Sequence, residues 1–130
     1  MHRAHRDDMA EPLIKPRGET VYELVGASDH IGGAATHSIA EITIRADGSS
    51  AKHHHRRSEE TYYILHGHGR LVVDSVDYRL RVGDACLIRP GEWHQIFNDS
   101  SEDELVLLAV SSPPWIAQDS VFDEPADHIG

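Results

Sequence analysis

The stretch His53-His54-His55-Arg56-Arg57-Ser58-Glu59-Glu60-Thr61-Tyr62-Tyr63-Ile64-Leu65-His66-Gly67 decides the fold and points to the chemistry. On a strand, residues two apart share a face at a spacing of roughly 6.6 Å, so His53 and His55 aim both imidazoles at one point while His54 turns away. Glu60 and Gly67 follow in the pattern H-x-H-x4-E-x6-G, and a fourth candidate, His94, lies downstream behind Pro90-Gly91. Neutral imidazoles and a carboxylate suit a divalent transition ion such as zinc, manganese, iron, nickel or copper, and they leave a coordination position for water or substrate. One ion per chain is expected at His53, His55, Glu60 and His94.

Outward from this stretch the chain reads as strands. Val21-Tyr22-Glu23-Leu24-Val25 is a first short one, and Gly32-Gly33 punctuates the chain before a longer run from Ala35 to Arg45. In that run Ser38, Ala40, Ile42 and Ile44 share a face and form the expected interior. After the Asp47-Gly48 turn, strands are predicted over 51–56, 60–66, 69–74, 77–82, 85–89, 93–98 and 104–110, separated by Gly, Asp, Ser or Pro signals. No amphipathic helix of useful length is present. So many short strands in one domain predict an all-β sandwich or barrel, and the jelly roll is the version that encloses a pocket. Residues 1–18, with Pro12, Pro16 and Gly18, show no sustained period and read as a flexible arm, with the barrel spanning 19–112. Beyond it, 113–130 leaves the strand pattern and is expected to pack across the outside.

The 130 residues, 39% of them apolar, suffice for one compact core. Twelve basic against twenty-two acidic residues give a formal charge of −10, which argues against nucleic acid or an anionic membrane as partner. Cys86 is the single cysteine, so no intrachain disulfide forms, and the thiol reads as an inert core group. With no long apolar run and no secretory signal pattern at the N-terminus, a cytoplasmic protein is expected.

The motifs resemble those of the cupins, a family of small jelly-roll barrels. The cupin pattern G-x5-H-x-H-x3/4-E-x6-G is matched by Gly48, His53, His55, Glu60 and Gly67, with one residue fewer after Gly48. The second pattern, G-x5-P-x-G-x2-H-x3-N, is matched by Gly83, Gly91, His94 and Asn98, with Arg89 where the first proline is usual. Fifteen residues separate Gly67 from Gly83, a short link of the kind seen in compact bacterial members. The resemblance implies a double-stranded β-helix with the three-histidine, one-glutamate metal site of metal-binding cupins. Its spacing selects Glu60 as the ligand over Glu59, and it implies a homodimer formed through sheet surfaces.

For His30, His37, His54, His66 and His68 the expected places are turns or surface, with His66 at the strand end on Glu60's parity. Tyr62 shares Glu60's parity, so its hydroxyl is a candidate to bind substrate or donate a proton. Asn98 is expected as a turn or supporting residue. Arg89 is open between solvent and an anionic substrate. The strand from Glu104 to Val110 is apolar on both faces, and Val106, Leu108 and Val110 are taken with Ala40, Ile42 and Ile44 as the inner lining. No second carboxylate, lysine or histidine is placed inside, so chemistry is expected to centre on the ion. Together these features suggest a metal-dependent enzyme acting on a small carbonyl- or carboxylate-containing molecule, of oxygenase, isomerase, lyase or decarboxylase type. A non-catalytic metal-containing barrel that binds or senses a small ligand is the alternative. A sugar-phosphate isomerase is a third reading, and it requires Lys52, Arg56, Arg57, Arg70 or Arg89 to turn inward.

Overall fold

A computed structural model describes residues 1–127, and its strands close the two-sheet jelly roll that the alternation predicts. The strands are β1 (Leu13–Ile14), β2 (Glu19–Val25), β3 (Ser38–Ile44), β4 (His53–His55), β5 (Glu59–His66), β6 (His68–Val73), β7 (Val76–Arg81), β8 (Ala85–Ile88), β9 (His94–Phe97), β10 (Leu105–Ser112) and β11 (Ser120–Phe122). One sheet has the order β1-β2-β3-β10-β5-β8 and the other β11-β4-β9-β6-β7, with every pairing antiparallel. Among the described residues the helical elements are 3-10 turns of three residues, and no helix is long and apolar enough to cross a membrane.

The core lies between the sheets. Ile42 and Ile44 of β3, Tyr62 and Ile64 of β5, Leu71 of β6, Leu80 of β7, Ile88 of β8, Ile96 of β9 and Leu105, Leu107 and Ala109 of β10 are all buried. Each fully buried Leu or Ile contributes about 1.5–3 kcal/mol relative to an exposed one. Gly67 turns the chain between β5 and β6 with φ of +80°, and a Cβ there would lie 2.5 Å from the Glu104 carbonyl oxygen, so conformation and space both require glycine.

Three expectations change. First, β10 turns Leu105, Leu107, Ala109 and Ser111 inward, and Val106, Leu108 and Val110 face out. With apolar residues on both faces, hydrophobicity gives no parity signal. The pairing of Leu107 with Ile42 on one side and Ile64 on the other decides it. Second, the stretch expected as a flexible arm able to order against the barrel supplies β1, whose Leu13 and Ile14 pair with Val21 and Thr20 of β2. The tip of this hairpin is tied down, as the Arg45 and Ser49 amides donate to the Gly18 and Arg17 carbonyls at 3.0 Å each. Third, the stretch after residue 112 joins the barrel as well as covering it. Its β11 pairs along β4, from Ser120 opposite His55 to Phe122 opposite His53. Residues 128–130 of that extension lie outside the described ones.

Candidate metal centre

The site is built by alternation in three strands. β4 carries His53 and His55 on its inner face, β5 brings Glu60, and β9 brings His94, which pairs directly opposite His53. One donor atom from each of these four residues lies within 4.8 Å of the other three. His55 Nε2 is 3.5 Å and His94 Nε2 3.4 Å from Glu60 Oε1, too long for an N–H···O bond. Two donors bound at about 2.1 Å to one ion at a tetrahedral angle stand about 3.4 Å apart. These three atoms are buried and have no hydrogen-bond partner among the described residues. Burial without a partner is costly unless a ligand completes the group, so the donor set fits a metal ion.

The surroundings fix which atoms would face an ion held here. His53 Nδ1 lies 2.9 Å from the Ala51 carbonyl and His94 Nδ1 2.9 Å from the Glu92 carbonyl, so both Nδ1–H groups donate outward and Nε2 keeps its lone pair for the centre. With Nε2 of His55 as ligand, its Nδ1–H donates to Ser120 Oγ at 3.3 Å, a contact supplied by β11. Ser111 Oγ donates to Glu60 Oε2 at 3.3 Å and leaves Oε1 available to an ion. Phe122 stacks on His53 with ring centroids 5.7 Å apart. Asp119 accepts from the Arg57 and Ser58 amides at 2.9 and 3.1 Å, pinning the turn that carries the chain from His55 to Glu60.

Charge follows from burial and neighbours. Burial, then the other imidazoles, hold His53 down to about 3, so it is neutral and ready to ligate. Burial would raise Glu60, but the interactions with His55 and His94 outweigh it and hold the carboxyl well below its ordinary value. For His94 burial acts downward, while the Glu60 carboxylate beside it wins and raises it. Tyr62 is buried, with its ring 6.1 Å from that of His94. Burial first, then Glu60 and Glu19, push its hydroxyl well above the usual tyrosine value, so it stays protonated.

A cavity of about 50 Å³ opens beside the centre, lined by His53, His55, Glu60, Tyr62, Ala40 and Ile42 among others. One water needs roughly 10–15 Å³ on this measure, so a molecule of a few heavy atoms has room. The wall also carries Lys15, Glu19 and Glu23, against the expectation of an interior without further charge. Glu19 is buried and Lys15 is 15% exposed in its side chain, with Nζ 3.9 Å from Glu19 Oε1. Burial pushes the Glu19 carboxyl up to about 7, and Lys15 only partly offsets this. The available signal was the parity of Leu13 and Lys15 with Glu19, Val21 and Glu23 across the Pro16-Arg17-Gly18 turn.

The remaining candidates fall outside the centre. Glu59 is exposed, as are His30, His37, His66 and His68, and His54 packs against Trp93 with centroids 4.5 Å apart. Asn98 is a turn residue whose amide donates to the Ile44, Arg45 and Asp103 carbonyls. Cys86 packs against the core, and burial raises its thiol. Lys52, Arg56, Arg57 and Arg89 are exposed, and Arg70 is bound to Asp99 at 2.7 Å.

The profile of the Cupin domain family matches residues 40–111, more than half of the chain. The chain is a cupin. Among its relatives is an uncharacterised protein of Methanocaldococcus jannaschii, 31% identical over 113 residues that cover 87% of this cupin and 88% of the relative. Among solved structures, an oxalate decarboxylase of Lactobacillus farciminis in complex with formate superposes with a TM-score of 0.76 at 25% identity, covering 92% of this cupin. This cupin spans only 35% of that longer chain. A predicted oxalate decarboxylase of Thermotoga maritima gives a TM-score of 0.70 at 25% identity, covering 86% of this cupin and 98% of that chain.

Proposed function

We propose that this cupin is a metal-dependent enzyme acting on a small carboxylate, of the decarboxylase or lyase type, with one divalent transition ion held by His53, His55, Glu60 and His94. The observation that carries the reading is the set of buried, unpartnered donors, His55 Nε2, Glu60 Oε1 and His94 Nε2, beside a cavity sized for a few heavy atoms. The carboxylate class draws support from the likeness to the Lactobacillus farciminis oxalate decarboxylase, a protein seen with formate. A bound ion supplies Lewis-acid polarisation of a carboxylate or carbonyl and, if it is iron, copper or manganese, redox chemistry as well. Ala40, Ile42 and Ala109 present an apolar wall that limits water. Tyr62, protonated throughout the neutral range, donates a hydrogen bond to charge developing on the substrate and is the proposed catalytic side chain of the protein.

A sugar-phosphate substrate needs more than one fixed arginine or lysine, and with none of Lys52, Arg56, Arg57, Arg70 and Arg89 lining the cavity Lys15 is its single lysine or arginine, so the observations favour a carboxylate. We also propose a homodimer formed through the outer face of the β5–β8 edge, where Tyr63, Leu65 and Leu87 are 43%, 42% and 46% exposed.

The test is elemental analysis of untagged protein, followed by carbon dioxide release and oxygen uptake across small mono-, di- and oxo-carboxylic acids. About one ion per chain with carbon dioxide release that disappears in His53→Ala supports the decarboxylase reading. Oxygen uptake would redirect it to an oxygenase. Carboxylate binding by the loaded protein without turnover would make it a binding barrel, and protein that retains no ion would overturn the reading.

A further inference from the structure

Among the residues lining the cavity beside the centre, Lys15 is the one lysine or arginine. Its placement follows from the β1–β2 hairpin, where the Lys15 amide donates to the Glu19 carbonyl at 2.8 Å. The two residues therefore face each other across the hairpin, and both side chains enter the barrel. The Lys15 stem is largely covered, yet Nζ makes no hydrogen bond among the described residues, and its separation of 3.9 Å from Glu19 leaves the three N–H groups unspent. Nζ also sits 5.9 Å from the centre of the Phe122 ring, the ring that stacks on the ligand His53. The ammonium thus lies beside the ring that covers His53, attached to a hairpin tied down at both strand and tip.

We propose that Lys15 is the specificity residue of this pocket, its ammonium receiving one carboxylate of a small dicarboxylic acid whose other carboxylate reaches the metal centre. The inference rests on the metal-centred reading above and deepens it, adding a second anionic group to the substrate. An ammonium kept only to neutralise Glu19 would close to the 2.7–2.9 Å of a charged hydrogen bond. Burial of Glu19 leaves its carboxyl part-protonated near neutrality, so the ammonium's charge is not fully cancelled. Glu23, on the same inner face, feels Lys15 as well, and burial raises its carboxyl in the same direction.

The test is calorimetric titration of the metal-loaded protein with oxalate, malonate and succinate, with formate as the one-carboxylate control. Lys15→Met should weaken the best dicarboxylate by about tenfold or more and leave formate within about threefold, while Lys15→Arg restores most of the loss. The metal content of both variants should remain that of the wild type. If Lys15→Met binds the dicarboxylates as the wild type does, or if the wild type prefers none of them to formate, Lys15 is a counter-ion and the proposal falls while the metal reading stands. Wild-type protein that takes up no metal would overturn the reading beneath it.

Discussion

The Glu60 carboxylate is the residue on which the centre turns, since it faces the Nε2 atoms of both His55 and His94 while Ser111 holds its other oxygen. Glu60→Ala and His53→Ala should each lose the ion on dialysis, read by elemental analysis. Acidification should release it as well, because protons compete for imidazole and carboxylate lone pairs. Glu19 behaves in the opposite sense to an ordinary surface acid. Its folded value of about 7 lies above the ordinary 4.5, so the folded state binds the extra proton between these values and stability falls as pH rises through that window. At pH 8 the cost is of the order of 3 kcal/mol. Glu19→Gln should therefore raise the melting temperature of the metal-free protein at pH 8, with the gain vanishing towards pH 4.5, measured by thermal unfolding at both ends. The cluster of His53, His55, Glu60 and His94 was legible in the sequence because the chemistry and the spacing of these residues coincide. Glu19 and Lys15 were not, because two charged residues flanking Pro16-Arg17-Gly18 look like any solvated turn.

At the level of elements, alternation located the strands from β2 to β10 to within a few residues, since a half-buried sheet imposes period two on each. It failed for β1 and β11, which have two and three residues and, unlike the equally short β4 with its paired histidines, carry no chemical pattern to mark them. The loss matters, because these strands bring Lys15 to the cavity and Ser120 and Phe122 to the histidines. The turn from β4 to β5 depends on the same C-terminal segment through Asp119. Removing that carboxylate strands the Arg57 and Ser58 amides, of which Ser58 is buried. Asp119→Ala should lower stability by about 1.5–3 kcal/mol, read by urea unfolding, and weaken metal retention by loosening the link between His55 and Glu60.

At the scale of the whole molecule, the exposed Tyr63, Leu65 and Leu87 face predicts association. Light scattering should give twice the chain mass for the wild type, and Leu65→Glu should reduce it to a monomer with its metal retained. A single mass for the wild type would remove the dimer from the account. The chain also closes on itself, as Arg17 binds Asp127 through two hydrogen bonds of 3.0 Å across 110 positions of sequence. Of the described strands, β11 is the last to leave the ribosome. A nascent barrel holding every ligand still lacks the groups that orient His55 and cover His53. On the proposed reading, an ion met during synthesis would therefore find a looser donor set than the finished one, and the full cradle would exist only once translation has passed residue 122.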